Sequence, residues 1–593
     1  MKATNIRDPE YFHKVVDCQY ACPAHTPVPE YIRLIAAQRH DDPYMVNWES
    51  SVFPGVLGRT CDRPCEPACR RVRVEEEPVA ICRLKRVAAD NKQDEVIAAR
   101  MPSVPALKNG KRIALIGAGP ASLTVARDLL PLGYQIEIYD EQTEGGGMML
   151  SQIPAFRLPI EVLRQEVNYV LDMGVVITFN HYVDSLKAVL AEGYDAIFVG
   201  TGAPRGKDLE NLPGRAEAAA NIHIGIDWLS SVAFEHIHSI GKKVLVLGGG
   251  NTAMDCCRTS RRLGGEDVRV VVRSPFEDMK ASPWEKEDAM REDIPIHDNH
   301  VPKEFVVEKG RLKGVRFEKV LPEYDETGRR TLVPTGEELV FMEADDVLMA
   351  IGQENSFPWI ERDIGLKFGQ WDMPIVDETT LQSSLDTVFF GGDSAWGPEN
   401  IITAVAHGHQ AAISIDLLCR KQDVRRRPPP GVNLASQKMG IHEWSYDNLV
   451  ESDKRYLVPH ADKSKSLKDR KVEVELGFDV DTGFKEAQRC LNCDVQTVFQ
   501  EVRCIECDAC VDICPTDCIT FTNPGEEAEL RTRLSAPAGN LAQDLYVSEL
   551  LPTERVMVKD EDVCLHCGLC AERCPTTAWD MQKFLYHVTK AGE

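Results

Sequence analysis

The sequence predicts an α/β chain with two parallel-sheet, Rossmann-like nucleotide-binding units, framed by cysteine-rich segments at both ends. Three observations carry this. Two apolar strands each run into a glycine turn and a helix: "KRIALIGAGPASLTVARDLL" (111–130) and "KKVLVLGGGNTAMDCCRTSRRLG" (242–264). Further buried strands follow each, "YDAIFVGTGA" (194–203), "DDVLMAIGQ" (345–353) and "DTVFFGGD" (386–393). Finally, most of the twenty cysteines lie near the two ends of the chain.

These patterns divide the chain. Residues 1–105 read as a helical, cysteine-rich domain. Residues 106–225 open the first nucleotide unit, 226–350 form the second, and 351–424 return to the first. "RRRPPPG" (425–431) reads as a stiff linker with nothing to pack, and the charged stretch to 483 as its extension. Residues 484–593 hold two matched cysteine runs separated by a long polar insert. A length of 593 residues suits three to five domains at about 100–200 residues each.

The formal net charge of −25 argues against nucleic acid, whose phosphates need basic patches. "MKATNIRDPEYFHKVV" lacks the apolar core of a signal peptide, and no run of about eighteen apolar residues suggests a membrane span. A cytoplasmic protein is expected. In such a chain clustered cysteines bind metal, because disulfide frameworks suit small secreted proteins.

The first fingerprint is Gly117 and Gly119, with Ser122 where a third glycine would stand. The first glycine permits a tight turn, and the second lets backbone approach a pyrophosphate at the helix N-terminus. Asp140 ends the next strand, where an acid can bind ribose hydroxyls. The second fingerprint is Gly248, Gly250 and Ala253, and its next strand ends in Arg273. Arginine there can pair with a 2′-phosphate, which favours NADP over NAD. Two such units suggest FAD and NAD(P)H exchanging a hydride. Gly392 and Asp393, opening a helix, fit a second flavin contact.

Cys504, Cys507, Cys510 and Cys514, followed by Pro515, form the bacterial ferredoxin run, and Cys564, Cys567, Cys570 and Cys574 repeat it before Pro575. In that run the fourth cysteine ligates the other cluster. One [4Fe–4S] cluster should therefore take Cys504, Cys507, Cys510 and Cys574. The other should take Cys564, Cys567, Cys570 and Cys514. An α+β ferredoxin-like domain is expected around them.

With these motifs in hand, residues 1–420 resemble the small subunit of NADPH-dependent glutamate synthase, the flavin half of dihydropyrimidine dehydrogenase, and the large subunit of bifurcating ferredoxin–NADP transhydrogenase. The matching pieces are "RTCDRPCEPAC" (59–69), "GAGPAS" (117–122), "GGGMMLSQIPAFRLP" (145–159), "GGGNTAMD" (248–255) and "VFFGGD" (388–393). The resemblance implies FAD at the first fingerprint, NADPH at the second, and two N-terminal [4Fe–4S] clusters. It adds Pro120, Ala121, Gly146, Gly147, Arg157, Gly249, Asn251 and Thr252 to the cofactor-binding residues.

Two departures stand out. Relatives begin with A-x-R-C-x-x-C, which is missing here before Cys18 and Cys22. It stands instead as "EAQRCLNC" (486–493). Cys490 and Cys493 are expected to fold back and complete a cluster with Cys18 and Cys69. The other cluster would use Cys22, Cys61 and Cys65. Its fourth ligand in relatives is a Glu or Gln where this chain has Lys85, which cannot ligate, so Cys82 one turn earlier is expected to serve. Relatives also often carry two arginines where this chain has Arg273-Ser274. Cys256, Cys257, Cys419 and Cys518 remain unassigned, with Cys256 and Cys257 read as buried packing. His407 and His409 read as solvated helix histidines.

The expected protein is thus an oxidoreductase subunit. It moves electrons between NAD(P)H, FAD and four clusters, and on to a ferredoxin or a partner catalytic subunit. The alternatives are flavin-based electron bifurcation within a larger complex, or an electron-wiring adaptor without NAD(P)H turnover.

Overall fold

The computed structural model describes all residues except 9, 10, 12, 13, 328, 441–443, 445–449, 451, 537 and 539. The first unit is a five-stranded parallel sheet. Its order is Val388–Phe390, Ala196–Val199, Arg112–Ile116, Gln135–Tyr139 and Val176–Thr178. Four of the five residues of Arg112–Ile116 are buried, as its near-continuous apolar run requires between two helical layers. The helices Pro120–Leu129 and Ile401–Cys419 pack together on one side. Gly408 allows their contact: a Cβ there would lie 2.6 Å from the Ala121 carbonyl oxygen. By length and composition Ile401–Cys419 would suit a membrane span, yet 61% of its apolar window is buried here.

The second unit is also a five-stranded parallel sheet, ordered Ile222–Ile224, Asp346–Met349, Lys243–Leu247, Asp267–Val271 and Ile296–His297. The sheet takes in Ile222–Ile224, so this unit begins slightly before residue 226. An antiparallel four-stranded sheet, His300–Glu308, Arg311–Tyr324, Arg330–Pro334 and Val340–Glu343, is inserted between its last two strands in sequence.

The N-terminal helices Asp41–Ser51, Pro54–Thr60 and Ile81–Asn91 pack against the first unit, and Val28–Ala36 packs on Asp41–Ser51, Ile81–Asn91 and Val480–Ala487. Cys22, Cys61 and Cys82 share one core with its Met149, Leu150 and Leu158. The C-terminal module has two antiparallel three-stranded sheets. One orders Gly431–Ser436, Trp579–His587 and Val495–Phe499, and the other Ile519–Thr522, Val556–Lys559 and Tyr546–Val547. The start of the chain completes this module. Tyr11, Val15 and Val16 lie in its core, and Thr4 N–H donates to Val547 O at 2.8 Å.

The expected linker does pack. Arg427 donates to Gln410 Oε1 at 3.2 Å, and Gly431–Ser436 pairs with the last strand. Residues 452–478 then run across three domains. Arg455 pairs with Glu66 at 2.7 Å and Glu473 with Arg59 at 2.8 Å in the N-terminal domain. Val474 N–H donates to Phe156 O at 2.9 Å in the first unit. His460 meets Asp288 at 3.3 Å and Arg470 meets Glu235 at 3.0 Å in the second. This strap shows no hydrophobic period because it docks largely through charges, with only scattered apolar anchors, Tyr456, Val458 and Phe478, on the N-terminal core.

Candidate functional site

A cavity of about 380 Å³ opens at the C-terminal edge of the first sheet. Gly117 turns the chain there at φ +94°, and a Cβ would lie 2.6 Å from Gly200 O. Gly119 faces open space, with only Gly200 O at 3.8 Å, directly before the helix that begins at Pro120. This leaves backbone approach and helix N–H groups for an anionic pyrophosphate, so the donor set fits a dinucleotide. Gly117, Gly119, Pro120, Ala121, Asp140, Gly147, Gly392 and Asp393 all line the cavity. Asp140 also braces the turn, accepting from Ala118 N at 2.6 Å and Gln142 N at 2.7 Å. Burial pushes the Asp393 carboxyl up to about 6.

Three expected residues lie outside that lining. Ser122 is wholly buried and faces Gly200, where a Cβ would come within 2.3 Å of its Oγ. It serves helix–strand packing, the third glycine's usual task. Gly146 sits against Leu163. Arg157 is spent on a buried ion pair with the second unit, to Asp255 at 2.7 Å and Glu285 at 2.5 Å. The histidines need correction too. His407 lies edge-on to Trp396 at 4.9 Å, and His409 bridges Asp128 at 2.6 Å and Ser50 O at 3.0 Å, so neither is a solvated helix residue. Sequence reading missed Thr201, Gly202, Asp227, Ser356 and Glu399 in the lining. Only the "GTGA" after a buried strand hinted at the first two.

The second turn repeats the first. A Cβ on Gly248, at φ +143°, would meet Ala350 O at 2.1 Å, while Gly250 has nothing within 4 Å. Gly249 is walled by Val272, and Asn251 and Thr252 open the helix Asn251–Arg262. Arg273 is exposed two residues past the strand Asp267–Val271. Asn251 Nδ2 also donates to Asp62 Oδ1 at 3.2 Å, so the loop carrying Cys61 touches the head of this helix. Cys256 and Cys257 are fully buried.

The cysteines gather into four groups. Cys61 and Cys65 contact Cys82, and Lys85 lies beside those three and Cys22. Cys18, Cys69, Cys490 and Cys493 line one small cavity between Val28, Ile32 and Ile81. Cys504, Cys507, Cys510 and Cys574 line another with Phe499, Phe521 and Trp579. Cys567 neighbours Cys514, Cys564 and Cys570, and Cys570 neighbours Cys564. Thiols crowded this closely without disulfides, in apolar walls, suit iron–sulfur clusters. The last group holds a fifth cysteine that spacing did not reveal: Cys518 is buried, with Sγ 3.5 Å from Cys514 Sγ.

Two of these groups adjoin. His566 Nδ1–H donates to Cys493 O at 3.0 Å, and Arg70, next to Cys69, donates to Cys564 O at 2.9 Å. Against the cost of burial, Lys559 and His566 hold Glu561 down at about 2. Outward, Cys507 is exposed beside Val502 and Ile505, which are 96% and 62% exposed.

Comparison with known proteins fits this geometry. Residues 111–408 match the model of the pyridine nucleotide-disulphide oxidoreductase family. Residues 13–97 match dihydropyrimidine dehydrogenase domain II with its 4Fe-4S cluster, and 503–578 match a 4Fe-4S dicluster domain. The chain is 34% identical over 506 residues to the NADP(+)-dependent formate dehydrogenase subunit beta of Moorella thermoacetica, covering 80% of this chain and 70% of that one. It is 31% identical over 536 residues to the NADPH-Fe(3+) oxidoreductase subunit beta of Geobacter sulfurreducens, with 83% and 77% covered. The glutamate synthase [NADPH] small chain of Azospirillum brasilense is 31% identical over 417 residues, covering 67% and 85%. Among solved structures, Mycobacterium tuberculosis FprA in complex with NADPH superposes with a TM-score of 0.45 at 16% identity, over 52% of this chain and 85% of that one.

Proposed function

We propose an electron path through this chain, which belongs to the pyridine nucleotide-disulphide oxidoreductase family and is an NAD(P)H-dependent flavin and iron–sulfur oxidoreductase. When bound, FAD accepts a hydride from NAD(P)H and releases single electrons to [4Fe–4S] clusters. The residues define the stations. The turn at Gly117–Ala121, with Asp140, Gly392 and Asp393, holds FAD. The turn at Gly248–Thr252 holds the nicotinamide dinucleotide, with Arg273 on the 2′-phosphate of NADP. Cys22, Cys61, Cys65 and Cys82 ligate the cluster nearest the flavin unit. Cys18, Cys69, Cys490 and Cys493 ligate the next. Cys564, Cys567, Cys570 and Cys514 ligate the third, and Cys504, Cys507, Cys510 and Cys574 the last.

The observation that carries this order is the double bridge from Cys493 to His566 and from Arg70 to Cys564. Two buried side chains, His566 and Arg70, thus link the second group of cysteines to the third. The exposed Cys507 with Val502 and Ile505 is the exit, facing a ferredoxin or a catalytic subunit in a cytoplasmic complex. The two relatives named as beta subunits support a place in such a complex.

Anaerobic stopped-flow mixing with NADPH tests the reading. Flavin absorbance should bleach first, followed by loss of cluster absorbance. A flavin left oxidised by both NADPH and NADH would instead make the chain an adaptor wired to another enzyme. Copurification without oxygen names the acceptor.

A further inference from the structure

The helix Ile81–Asn91 carries three buried cations, Arg83, Lys85 and Arg86, each at most 4% exposed. Two have carboxylate partners. Arg83 pairs with Glu475, and Arg86 with Asp90 and Glu473, both at 2.9 Å. Among the described residues, Lys85 has no hydrogen bond or ion pair. A buried ammonium without a counter-charge is costly, so such groups are kept where something negative offsets them. Lys85 lies three residues after Cys82 on the same helix, which puts both side chains on one face. The side chains of Cys61, Cys82, Cys22 and Cys65 lie beside it.

We propose that Lys85 is the counter-charge of the cluster held by Cys22, Cys61, Cys65 and Cys82, and that it sets that cluster's reduction potential. This rests on the ligand assignment above. The cluster with its four thiolates gains one negative charge when it takes one electron from the reduced flavin, and no proton need move. A fixed positive charge in a dry site stabilises the reduced form more than the oxidised one. Lys85 therefore makes this first station an easier acceptor. It touches no substrate and acts through the cluster, as a positioning residue.

The test is a redox titration of the anaerobically purified full chain, followed by electron paramagnetic resonance, with iron analysis beside it. The relevant signal is the one absent from Cys61→Ala. In Lys85→Met the reduced-to-oxidised ratio of that cluster, at the wild-type midpoint, should fall at least tenfold, a shift of about 59 mV to more negative potential. Lys85→Arg should restore most of it. An unmoved midpoint in Lys85→Met with iron retained overturns the proposal and leaves the ligand set standing. Cys61→Ala with all its iron retained removes both. If Lys85→Met sheds the cluster's iron, Lys85→Gln and Lys85→Arg decide. Iron lost in Gln but kept in Arg supports a charge role, and iron lost in both, or kept in Gln with an unmoved midpoint, overturns it.

Discussion

Replacing Cys490 and Cys493 together by alanine probes how the two ends of the chain are joined. The pair lines one cavity with Cys18 and Cys69, more than 400 residues earlier in the sequence. If the four ligate one cluster, iron should fall from about sixteen to about twelve per chain, since the other three clusters keep their ligands. The segment itself should stay docked. Arg489 is fully buried and donates to Asp453 O at 2.8 Å, Pro78 O at 3.1 Å, Glu77 O at 3.1 Å and Glu486 Oε1 at 2.9 Å. Glu486 in turn accepts from Ala80 N at 2.8 Å and Tyr456 N at 3.0 Å. Asp494 meets Arg33 at 2.5 Å. Hydrogen bonds to charged groups contribute about 1.5–3 kcal/mol each, so this set holds the loop without metal. The variant should nevertheless melt earlier, because metal-binding energy is also folding energy. The assay is anaerobic iron and sulfide analysis with a stopped-flow trace. Flavin bleaching by NADPH should keep its rate, while reduction of the C-terminal clusters slows. Sixteen irons in the double variant would refute the shared site. Eight would refute the independence of its neighbour across the His566 bridge.

Three other outcomes follow. Arg273→Ala should raise the KM for NADPH about tenfold and leave that for NADH nearly unchanged, because one charge-assisted phosphate contact is lost; equal effects on both would sink the NADPH assignment. Cys518→Ala should keep about sixteen irons, since the spacing already supplies four ligands to that site, and a loss of four would move Cys518 into the primary set. Asp393 titrates near 6 in the fold through burial. A carboxyl whose folded pKa lies above its unfolded value of about 3.9 costs stability as pH rises between the two, roughly 3 kcal/mol by pH 7. Asp393→Asn should flatten that decline in chemical denaturation between pH 4 and 7, and an unchanged pH slope would show that the carboxyl is not desolvated.

Much of the site was legible because its chemistry fixes spacing. Two C-x2-C-x2-C-x3-C-P runs imply an exchange of fourth cysteines, and Cys574 does line a cavity with Cys504, Cys507 and Cys510. The glycine turns were legible because strand, turn and helix leave a periodic record. "EAQRCLNC" could be placed beside Cys18 because it matches the cysteine motif that the resembling families pair with that region. What stayed hidden was held by charge or by distance in sequence. The strap 452–478 has no apolar period, since Arg455, His460, Arg470 and Glu473 dock it through ion pairs. Arg157 looked like a ligand residue because its motif lies near the flavin turn, yet Asp255 and Glu285 occupy it. Cys518 gave no spacing to read.

These hidden contacts bear on why the chain is arranged this way. Electrons cross protein by tunnelling, which demands that stations keep short and constant separations. A ferredoxin module on a free linker would sample many. Here three independent fastenings remove that freedom. The start of the chain completes the C-terminal core through Tyr11, Val15 and Val16. The strap ties the N-terminal domain to both nucleotide units. And Cys490 and Cys493 place the C-terminal half's own thiols inside the N-terminal domain. The third is the most economical, since a cluster that needs ligands from both halves cannot form until they meet. On the proposed ligand set, assembly of that metal site would follow docking of the segment, which the contacts of Arg489, Glu486 and Asp494 hold without metal. On the same ligand set, a chain that has not closed this gap lacks one station between the flavin unit and the ferredoxin module.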